Sequence, residues 1–382
     1  MTKPIRFGIV AGEKSGDILG ASLISALRTK YPDCEFVGVG GPAMEALGCE
    51  SLTPMDRLSV MGFVEPLGRL PELLNLKKRL VQRFMADKPV AFIGIDSPAF
   101  NLRLAANLHQ LGVKTIHYVS PSVWAYHQSR IHKIKACIDL MLTLFPFETA
   151  IYKQHGIPVA CVGHPLADEI SFEDHKIPLR EEFGIAKEGL VIVLMPGSRA
   201  GEIKRLTPTF LEASISALRR HPQLNFVIPY SGIEAKTQIS SHLRAANIFE
   251  SGQFKLLDNS HKAMSVADLV IMASGTATLE GLLLRRPMII CYKLAPITYA
   301  IGSRILQVPY VGLPNLLAGE KLIPEYLQNE VSAKNLRREI DSFIKNPATF
   351  DRALTIFDDI HKSLRGGASL KAAAAIANTI DA

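Results

Sequence analysis

The chain has 382 residues, of which 48% are hydrophobic and 21% charged. At ~100–200 residues per domain, this length predicts two domains, or three. The composition is ordinary for a soluble globular protein and excludes a mainly disordered, collagen-like or coiled-coil architecture. The net charge of +7 favours anionic partners such as nucleotides, phosphosugars, nucleic acid or an acidic membrane surface, without choosing among them. No apolar run reaches the ~18 residues that span a bilayer, and Glu13 and Lys14 interrupt the N-terminal apolar stretch early, so we expect a cytoplasmic protein.

The five cysteines predict no structural metal site. None forms a C-x-x-C motif, and no group of histidines and cysteines has the spacing of a zinc site. We therefore expect reduced, mostly buried thiols.

Short apolar runs alternate with helical patterns along most of the chain. Strands are predicted at 5–11, 36–40, 90–95, 114–119, 140–144 and 159–162, and in a second series at 190–195, 225–228, 254–256, 269–272 and 288–291. Such alternation predicts parallel sheets with helical crossovers. We expect an α/β protein with two Rossmann-like doubly wound domains, residues 1–170 and 171–354, facing across a cleft, and a helical C-terminal segment.

A glycine-containing turn follows the first predicted strand and opens the first helix. Gly12, Glu13 and Ser15 lie in this turn, where a ligand can approach the backbone and the helix N-terminus favours anions. A tight capped turn without a ligand explains the same residues equally well. The turn is neither a Walker A loop nor G-x-G-x-x-G, which argues against a dinucleotide-dependent oxidoreductase.

Asp96 comes directly after a predicted strand, beside Gly94 and before Pro98. A carboxylate at the carboxyl end of a parallel strand is well situated to accept a proton from an attacking hydroxyl. A helix N-cap or Asx turn is the structural alternative. We favour the catalytic interpretation modestly.

Two strand-to-helix turns in the second series suit an anion. Each offers backbone amides, hydroxyls or a guanidinium to phosphate oxygens, and a diphosphate could occupy both. One helical turn beyond the second of them, a carboxylate could bind the two hydroxyls of a ribose. The residues are Gly197, Ser198, Arg199, Ser274, Gly275, Thr276 and, for the ribose, Glu280.

An apolar loop at 60–67 precedes a helix, predicted over 70–86, that carries basic residues beside apolar ones. This pattern suits a peripheral membrane contact or a lipid-bearing substrate. A core-facing helix with a solvated basic face is the better interpretation from the residues alone. The candidate contact residues are Met61, Phe63, Leu67, Lys77 and Lys78.

The single tryptophan of the chain follows a predicted strand. Ser122 and Trp124 belong to this segment, which could line the cleft or pack between helices. Among the scattered histidines, His164 stands out weakly because it lies near the predicted domain junction.

Taken together, these motifs resemble the lipid-A-disaccharide synthase family from about Phe7 to at least Gln328. The segments that carry the resemblance are Val-Ala-Gly-Glu at 10–13, Ser-Gly-Asp-Ile-Leu-Gly at 15–20, Ile-His-Tyr-Val-Ser-Pro-Ser-Val-Trp-Ala at 116–125, Pro-Gly-Ser-Arg at 196–199 and Pro-Asn-Leu-Leu-Ala-Gly at 314–319.

The resemblance implies an inverting glycosyltransferase of the GT-B fold. It would transfer 2,3-diacylglucosamine from its UDP derivative to 2,3-diacylglucosamine 1-phosphate, giving the β-1,6-linked lipid A disaccharide 1-phosphate and UDP. It implies work at the cytoplasmic face of the inner membrane, with no cofactor or metal besides UDP as carrier and no nucleic-acid partner. The N-terminal domain would hold the acceptor, with a last helix of about 355–382 packing back on it.

By the same resemblance, Asp96 would take the proton of the acceptor 6-hydroxyl. Arg199, with its neighbours in the turn, would clamp the donor diphosphate, and Glu280 would bind the ribose. Asn315 would face the donor pocket. The exposed apolar loop and basic helix would then have a function, since both substrates carry acyl chains.

Two other functions stay open from the sequence. A UDP-sugar 2-epimerase shares the fold and donor pocket but needs no lipid acceptor, and a non-catalytic nucleotide-sugar or lipid-binding protein would bind UDP without turnover. A homodimer is left open, as are the acyl-chain length and the depth of membrane contact.

Overall fold

The computed structural model describes residues 4–58, 70–124, 128–185, 189–295, 299 and 308–381. The chain divides into two units, of which unit 1 comprises Met1–Asp168 with Leu364–Ala382 and unit 2 comprises Glu169–Ser363. The sequence predicted domain boundaries at residues 170 and 355. In the structure the chain passes from unit 1 to unit 2 after Asp168 and returns to unit 1 after Ser363. Residues 355–363 therefore belong to unit 2.

Unit 1 contains a seven-stranded parallel sheet in the order β3-β2-β1-β4-β5-β6-β7. Its strands are β1 (Arg6–Ala11), β2 (Glu35–Val39), β3 (Cys49–Ser51), β4 (Ala91–Ile95), β5 (Lys114–Tyr118), β6 (Leu140–Thr143) and β7 (Val159–Cys161). The helices between them are α1 (Lys14–Lys30), α2 (Pro42–Ala46), α3 (Leu70–Ala86), α4 (Pro98–Gln110), α5 (Arg130–Lys135), α6 (Thr149–Gln154) and α7 (Pro165–Glu169).

The apolar runs become central strands because helices cover both faces of the sheet. Every residue of β4 is buried, as is β1 after its first residue. Strands buried on both faces have continuous rather than alternating hydrophobicity, which is why these runs were recognisable in the sequence. The strand order reverses between β1 and β4, so this is the topological switch point where such sheets bind ligands.

Unit 2 repeats the arrangement with a six-stranded parallel sheet in the order β10-β9-β8-β11-β12-β13. Its strands are β8 (Val191–Met195), β9 (Asn225–Pro229), β10 (Phe254–Leu257), β11 (Leu269–Ala273), β12 (Met288–Tyr292) and β13 (Glu325–Leu327). Its helices are α8 (Lys176–Glu182), α9 (Ala200–Leu218), α10 (Gly232–Ala245), α11 (Ser260–Ser265), α12 (Ala277–Leu283), α13 (Leu313–Ala318), α14 (Ala333–Lys345) and α15 (Asp351–Leu364). Here the order reverses between β8 and β11.

Single turns of 3₁₀ helix complete the described elements. They are Met55–Arg57, Pro146–Glu148, Gln328–Glu330 and Pro347–Phe350. The strands β3 and β13 were not predicted, because each has three residues that include an acidic side chain and form no apolar run.

The last helix, α16 (Ala368–Ile380), belongs to unit 1 and packs against α1. Asp168 caps its N-terminus. The Asp168 carboxylate accepts hydrogen bonds from the backbone N–H groups of Gly366, Gly367 and Ala368, at 2.8, 3.0 and 2.9 Å respectively. A carboxylate at this position satisfies N–H groups that no helical carbonyl reaches and matches the positive end of the helix dipole. This cap fixes α16 to unit 1.

Among the described residues, no helix combines the length and the apolar character that crossing a bilayer requires.

Candidate active site

In unit 1, the turn after β1 and the turn after β4 touch at the switch point. A Cβ atom on Gly12 would lie 2.2 Å from Ser97 Oγ, so the contact requires a glycine. Asp96 stands next to this contact, at the carboxyl end of β4. The fold therefore brings the turn of Gly12 and Asp96, both predicted from separate segments, to one edge of the sheet.

The backbone around Asp96 is strained. Asp96 and Ser97 have φ angles of 48° and 42°, a left-handed region that non-glycine residues rarely adopt. Asn101, fully buried on α4, donates through Nδ2 to the Asp96 carbonyl at 2.8 Å and to the Ile95 and Val10 carbonyls at 3.2 and 3.3 Å. These bonds hold the turn in its strained form, and such strain is concentrated at functional sites.

The Asp96 carboxyl group is suited to accept a proton. Burial raises its pKa above the ordinary value, while a hydrogen bond from the Ser97 backbone acts in the opposite direction. A carboxylate with a raised pKa is a stronger base, and perturbed carboxyl groups of this kind cluster at catalytic sites.

The other residues predicted in unit 1 lie at the same edge of the sheet. Glu13 immediately precedes α1, and Ser15 is exposed in its first turn. Ser122 and Trp124, both half-buried, follow β5, the neighbour of β4. The carboxyl ends of β1, β4 and β5 thus carry all the predicted acceptor-side residues.

In unit 2, a pocket of about 520 Å³ opens at the carboxyl ends of β8 to β11. Its wall includes both turns that the sequence predicted as phosphate-binding. The residues shared by the prediction and the pocket are Gly197, Ser198, Arg199, Ser274, Gly275 and Thr276. Two anion-suited turns from separate strands therefore line one cavity.

The pocket wall also contains residues that the sequence analysis missed. They follow β9 and β10 or lie in the first turn of α9, and they are Glu202, Tyr230, Ser231, Asp258, Asn259 and Ser260. Applying the carboxyl-end rule to every strand of unit 2 would have found most of them.

Gly197 and Arg199 form a tight turn at the start of α9. Gly197 has φ 107°, and a Cβ there would lie 2.3 Å from Glu202 Oε2, so two constraints require glycine. The Arg199 side chain is 67% exposed, with Nη1 3.3 Å from Glu202 Oε1. An exposed ion pair of this kind contributes little free energy, so Arg199 can turn toward a bound anion at small cost.

Glu280 and Asn315 are bonded inside unit 2. Glu280 Oε1 lies 2.7 Å from His261 Nδ1, which fixes the carboxylate between α11 and α12. Asn315 is fully buried: Nδ2 donates to the Ile323 carbonyl and to Glu325, and Oδ1 accepts from backbone N–H groups, including that of Ile323. Neither residue belongs to the pocket wall, and Asn315 has an internal bonding role where a face toward the donor pocket was predicted.

Helix α3 has a buried face and an exposed apolar strip. Its buried residues are Leu76, Leu80 and Phe84. Leu70 and Leu74 are 39% and 47% exposed. Lys77 is half-buried and Lys78 exposed. Met61, Phe63 and Leu67 lie outside the described residues.

His164 is buried and stacks on Phe145, with ring centroids 5.8 Å apart. Across the part of the chain that the structure describes, no group of three or more His, Cys, Asp or Glu residues could hold a metal ion. The five cysteines are free, and only Cys161 among them is exposed.

Solved structures share this two-sheet architecture. The glycotransferase of kitacinnamycin matches with a TM-score of 0.64 at 14% identity, covering 99% of both chains. The UDP-GlcNAc 2-epimerase from Neisseria meningitidis bound to UDP-GlcNAc matches with a TM-score of 0.63 at 12% identity, covering 92% of this chain and 94% of the other. At such identities the likeness defines the fold alone, which is that of the GT-B glycosyltransferases.

Comparison with sequence relatives identifies the family within this class of glycosyltransferases. The family model of lipid-A-disaccharide synthetase matches residues 7–378. The lipid-A-disaccharide synthase of Pseudomonas savastanoi pv. phaseolicola is 49% identical over 378 residues, which are 98% of this chain and 97% of the relative. That of Pseudomonas aeruginosa strain UCBPP-PA14 is 46% identical over 382 residues, covering both chains completely. The chain belongs to the lipid-A-disaccharide synthetase family and is a glycosyltransferase.

Proposed function

We propose that the protein transfers 2,3-diacylglucosamine from its UDP derivative to the 6-hydroxyl of 2,3-diacylglucosamine 1-phosphate. The products are the β-1,6-linked disaccharide 1-phosphate of lipid A biosynthesis and UDP. The observation that carries the proposal is the family match over residues 7–378, which runs through both units.

Asp96 is the general base of this reaction. Its raised pKa suits proton abstraction from an alcohol, and the bonds from Asn101 hold the backbone turn that carries it. The proton of the acceptor 6-hydroxyl passes to Asp96 as the oxygen attacks the anomeric carbon. Attack from the face opposite to UDP inverts that carbon, so a single carboxylate suffices.

The pocket of unit 2 binds UDP and stabilises it as it leaves. Arg199 and the amides at the starts of α9 and α12 meet the negative charge that develops on the diphosphate. Glu280 lies outside the pocket wall but one helical turn beyond Thr276, and its carboxylate, held by His261, binds the ribose hydroxyls next to the pocket. The cation and helix ends supply the charge stabilisation, so we expect turnover to continue in the presence of a chelator.

The central experiment measures UDP release with and without the acylated acceptor. Glycosyl transfer requires release that depends on the acceptor, together with formation of the disaccharide by mass spectrometry. Consumption of the UDP-sugar without acceptor, or UDP binding without turnover, would contradict the proposal.

We also propose that α3 contacts the membrane surface from which both acylated substrates come. Leu70, Leu74 and Lys78 recur at four-residue spacing, which gives an exposed apolar strip continued by a basic charge. Replacing both leucines by serine should weaken co-sedimentation with anionic vesicles several-fold. Ile233→Ser removes an exposed apolar side chain of unit 2 and serves as the control. Equal binding by all three proteins would refute the contact.

A further inference from the structure

Glu148 is a buried carboxyl group that the proposed reaction does not use. It lies at the end of the 3₁₀ turn after β6, on the same carboxyl edge as Asp96, and is 4% exposed. Oε1 accepts a hydrogen bond from Trp124 Nε1 at 3.1 Å, and Oε2 accepts one from the Phe145 backbone N–H at 3.0 Å. The backbone of Leu144 and the hydroxyl of Ser120 also bond to it. A buried carboxylate needs such a complete set of donors.

Only an ionised carboxylate satisfies these donors. An amide at this position has one acceptor oxygen and one NH₂ group, so its NH₂ would face either the Trp124 N–H or the Phe145 N–H. A protonated carboxyl group satisfies them less well, because the oxygen that carries the proton is a weaker acceptor. The geometry therefore couples the position of the indole to the charge of Glu148.

The indole begins a row of aromatic rings along this edge. Trp124 packs edge-on against Phe147 at 4.9 Å between centroids, Phe147 stacks on Phe145 at 5.7 Å, and Phe145 stacks on His164 at 5.8 Å. Such ring pairs have defined geometry and add rigidity beyond the area they bury. Trp124 is the single tryptophan of the chain and is half-buried. Its indole is held by the hydrogen bond to Glu148 and by the contact with Phe147, while part of its surface stays accessible.

The strand ends beside this row are strained in the same way as the turn of Asp96. Val119, directly after β5, has φ 78°, which is unusual for a β-branched residue. The Asp96 N–H bonds to the Tyr118 carbonyl at 2.9 Å, so the turn of Asp96 and the segment leading to Trp124 are bonded neighbours. Backbone strain on adjacent strand ends indicates one functional edge.

We infer that Glu148 is a positioning residue that holds Trp124 as the aromatic wall of the acceptor-sugar subsite. The ligand is the hexosamine ring of the acceptor, whose apolar C–H face would lie on the indole while its hydroxyl reaches Asp96. Aromatic walls with a few fixed polar groups are how ligand pockets orient their ligands. The inference rests on the proposed function and adds a residue to it.

The charge of Glu148 changes within the working range of pH. Burial raises the pKa of Glu148 to about 7, against the lowering effect of its four hydrogen bonds. Among the residues that the structure describes, two titratable groups contact its neighbours: Tyr152 bonds to Ser120 at 2.7 Å, and His164 stacks on Phe145. Burial lowers the pKa of His164 to about 4, so that imidazole stays neutral while Glu148 titrates.

The experiment uses the single tryptophan as its own probe. Fluorescence of the full-length wild type is recorded between pH 5.5 and 8.5 and should shift with a midpoint near 7, because Trp124 loses its partner as Glu148 is protonated. Glu148→Gln should abolish this transition and raise the KM for the acylated acceptor about tenfold, which corresponds to one charge-assisted bond. The KM for the UDP-sugar should stay unchanged.

A double-mutant cycle separates positioning from a purely structural effect. Trp124→Phe keeps a ring but removes the N–H donor, so adding Glu148→Gln to it should raise the acceptor KM no further. Glu173→Gln, an exposed substitution in unit 2, is the matched control and should leave both KM values unchanged. Circular dichroism melting shows whether each variant is folded.

Two results would overturn the inference while leaving the proposed function intact. One is a wild-type acceptor KM in folded Glu148→Gln. The other is an equal, additive effect of Glu148→Gln in the presence and absence of the indole. Absence of acceptor-dependent UDP release by the wild type would instead refute the proposed function, and the pH titration of the fluorescence would still test the bond between Glu148 and Trp124.

Discussion

The two units have the same sheet topology but different chemistry at their carboxyl edges. In unit 1 the edge carries two carboxyl groups with raised pKa values, Asp96 and Glu148, and Asp96 stands on strained non-glycine backbone. In unit 2 the edge carries glycine, hydroxyls, helix N-termini and an exposed Arg199 around a pocket. One edge is suited to move a proton and the other to bind an anion.

This difference shows that the sheet topology determines the position of a site, whereas the residues of the turns determine its chemistry. Both sheets reverse their strand order at the strand that begins each unit, so both offer a crevice at the same topological point. The residues at each crevice come from the turns after the strands, and these turns differ between the two units. Function therefore has to be argued from these turns in each unit separately.

The largest effect is expected from removing the proposed base in unit 1, which tests the difference between the proton-accepting edge of unit 1 and the anion-binding edge of unit 2. Asp96→Asn should lower kcat ~10²–10⁴-fold, because an amide cannot take the proton. UDP affinity, measured by calorimetry, should stay the same, since the change lies in unit 1. Asp33→Asn, at an exposed position of the same unit, should have full activity. A wild-type kcat for Asp96→Asn would remove the assignment.

The reciprocal test weakens the anion site. Arg199→Ala should raise the dissociation constant for UDP ~10–100-fold, the range expected for charge-assisted bonds to phosphate. Arg199→Lys should recover part of this loss because it keeps the charge without the planar fork. Arg219→Ala, at the exposed far end of the same helix, controls for loss of positive charge. If both alanine variants bind UDP equally, Arg199 does not contact the diphosphate.

A pair of glycines in the unit 2 pocket tests the backbone requirement. Gly197→Ala should lower the free energy of unfolding by about 1–3 kcal/mol, because it forces a side chain into left-handed backbone and against Glu202. Gly275→Ala should leave stability unchanged, since an added Cβ meets nothing within 4 Å. Urea denaturation compares the two, and equal stabilities would contradict the strain at Gly197.

The smallest effect concerns the acid stability of unit 1. Burial holds the folded-state pKa of His164 at about 4, below its ordinary value of 6.5. Glu148 acts in the opposite direction, because its raised folded-state pKa of about 7 stabilises the fold as the pH falls. At His164 the unfolded chain binds a proton that the folded chain does not, so the His164 contribution to stability is lost as the pH falls from 6.5 toward 4. At pH 5.5 this loss amounts to about 1 kcal/mol.

His164→Asn should remove this contribution while keeping an acceptor near the Leu166 N–H. The free energy of unfolding of the variant should therefore rise relative to that of the wild type by about 1 kcal/mol between pH 7.5 and 5.5. His175→Asn, at an exposed position, is the control and should show no such relative change. Unfolding followed by the fluorescence of Trp124 reports on unit 1, and a difference between His164→Asn and wild type that stays constant with pH would show that His164 is not the titrating group.

Much of the candidate site was predictable because its residues follow buried strands. Asp96, Arg199 and Thr276 were found by that rule, and the structure gives each the expected place at a strand or helix end. Glu148 was missed because it follows a short strand and a proline in a sequence with no recognisable motif. Asn315 was assigned a direct contact from its motif, whereas its amide is used inside the unit.

The sequence by itself determined the two parallel sheets, since a strand buried on both faces must be a continuous apolar run and the helical periods between such runs impose parallel crossovers. It also determined the family. Only the tertiary structure decided which turns meet: Gly12 against Ser97, the Arg199 turn with the Thr276 turn, and Trp124 with Glu148. The physical reason is that periodicity is a local property of the chain, while contacts between turns depend on strand order and register, which bring residues far apart in sequence to one edge.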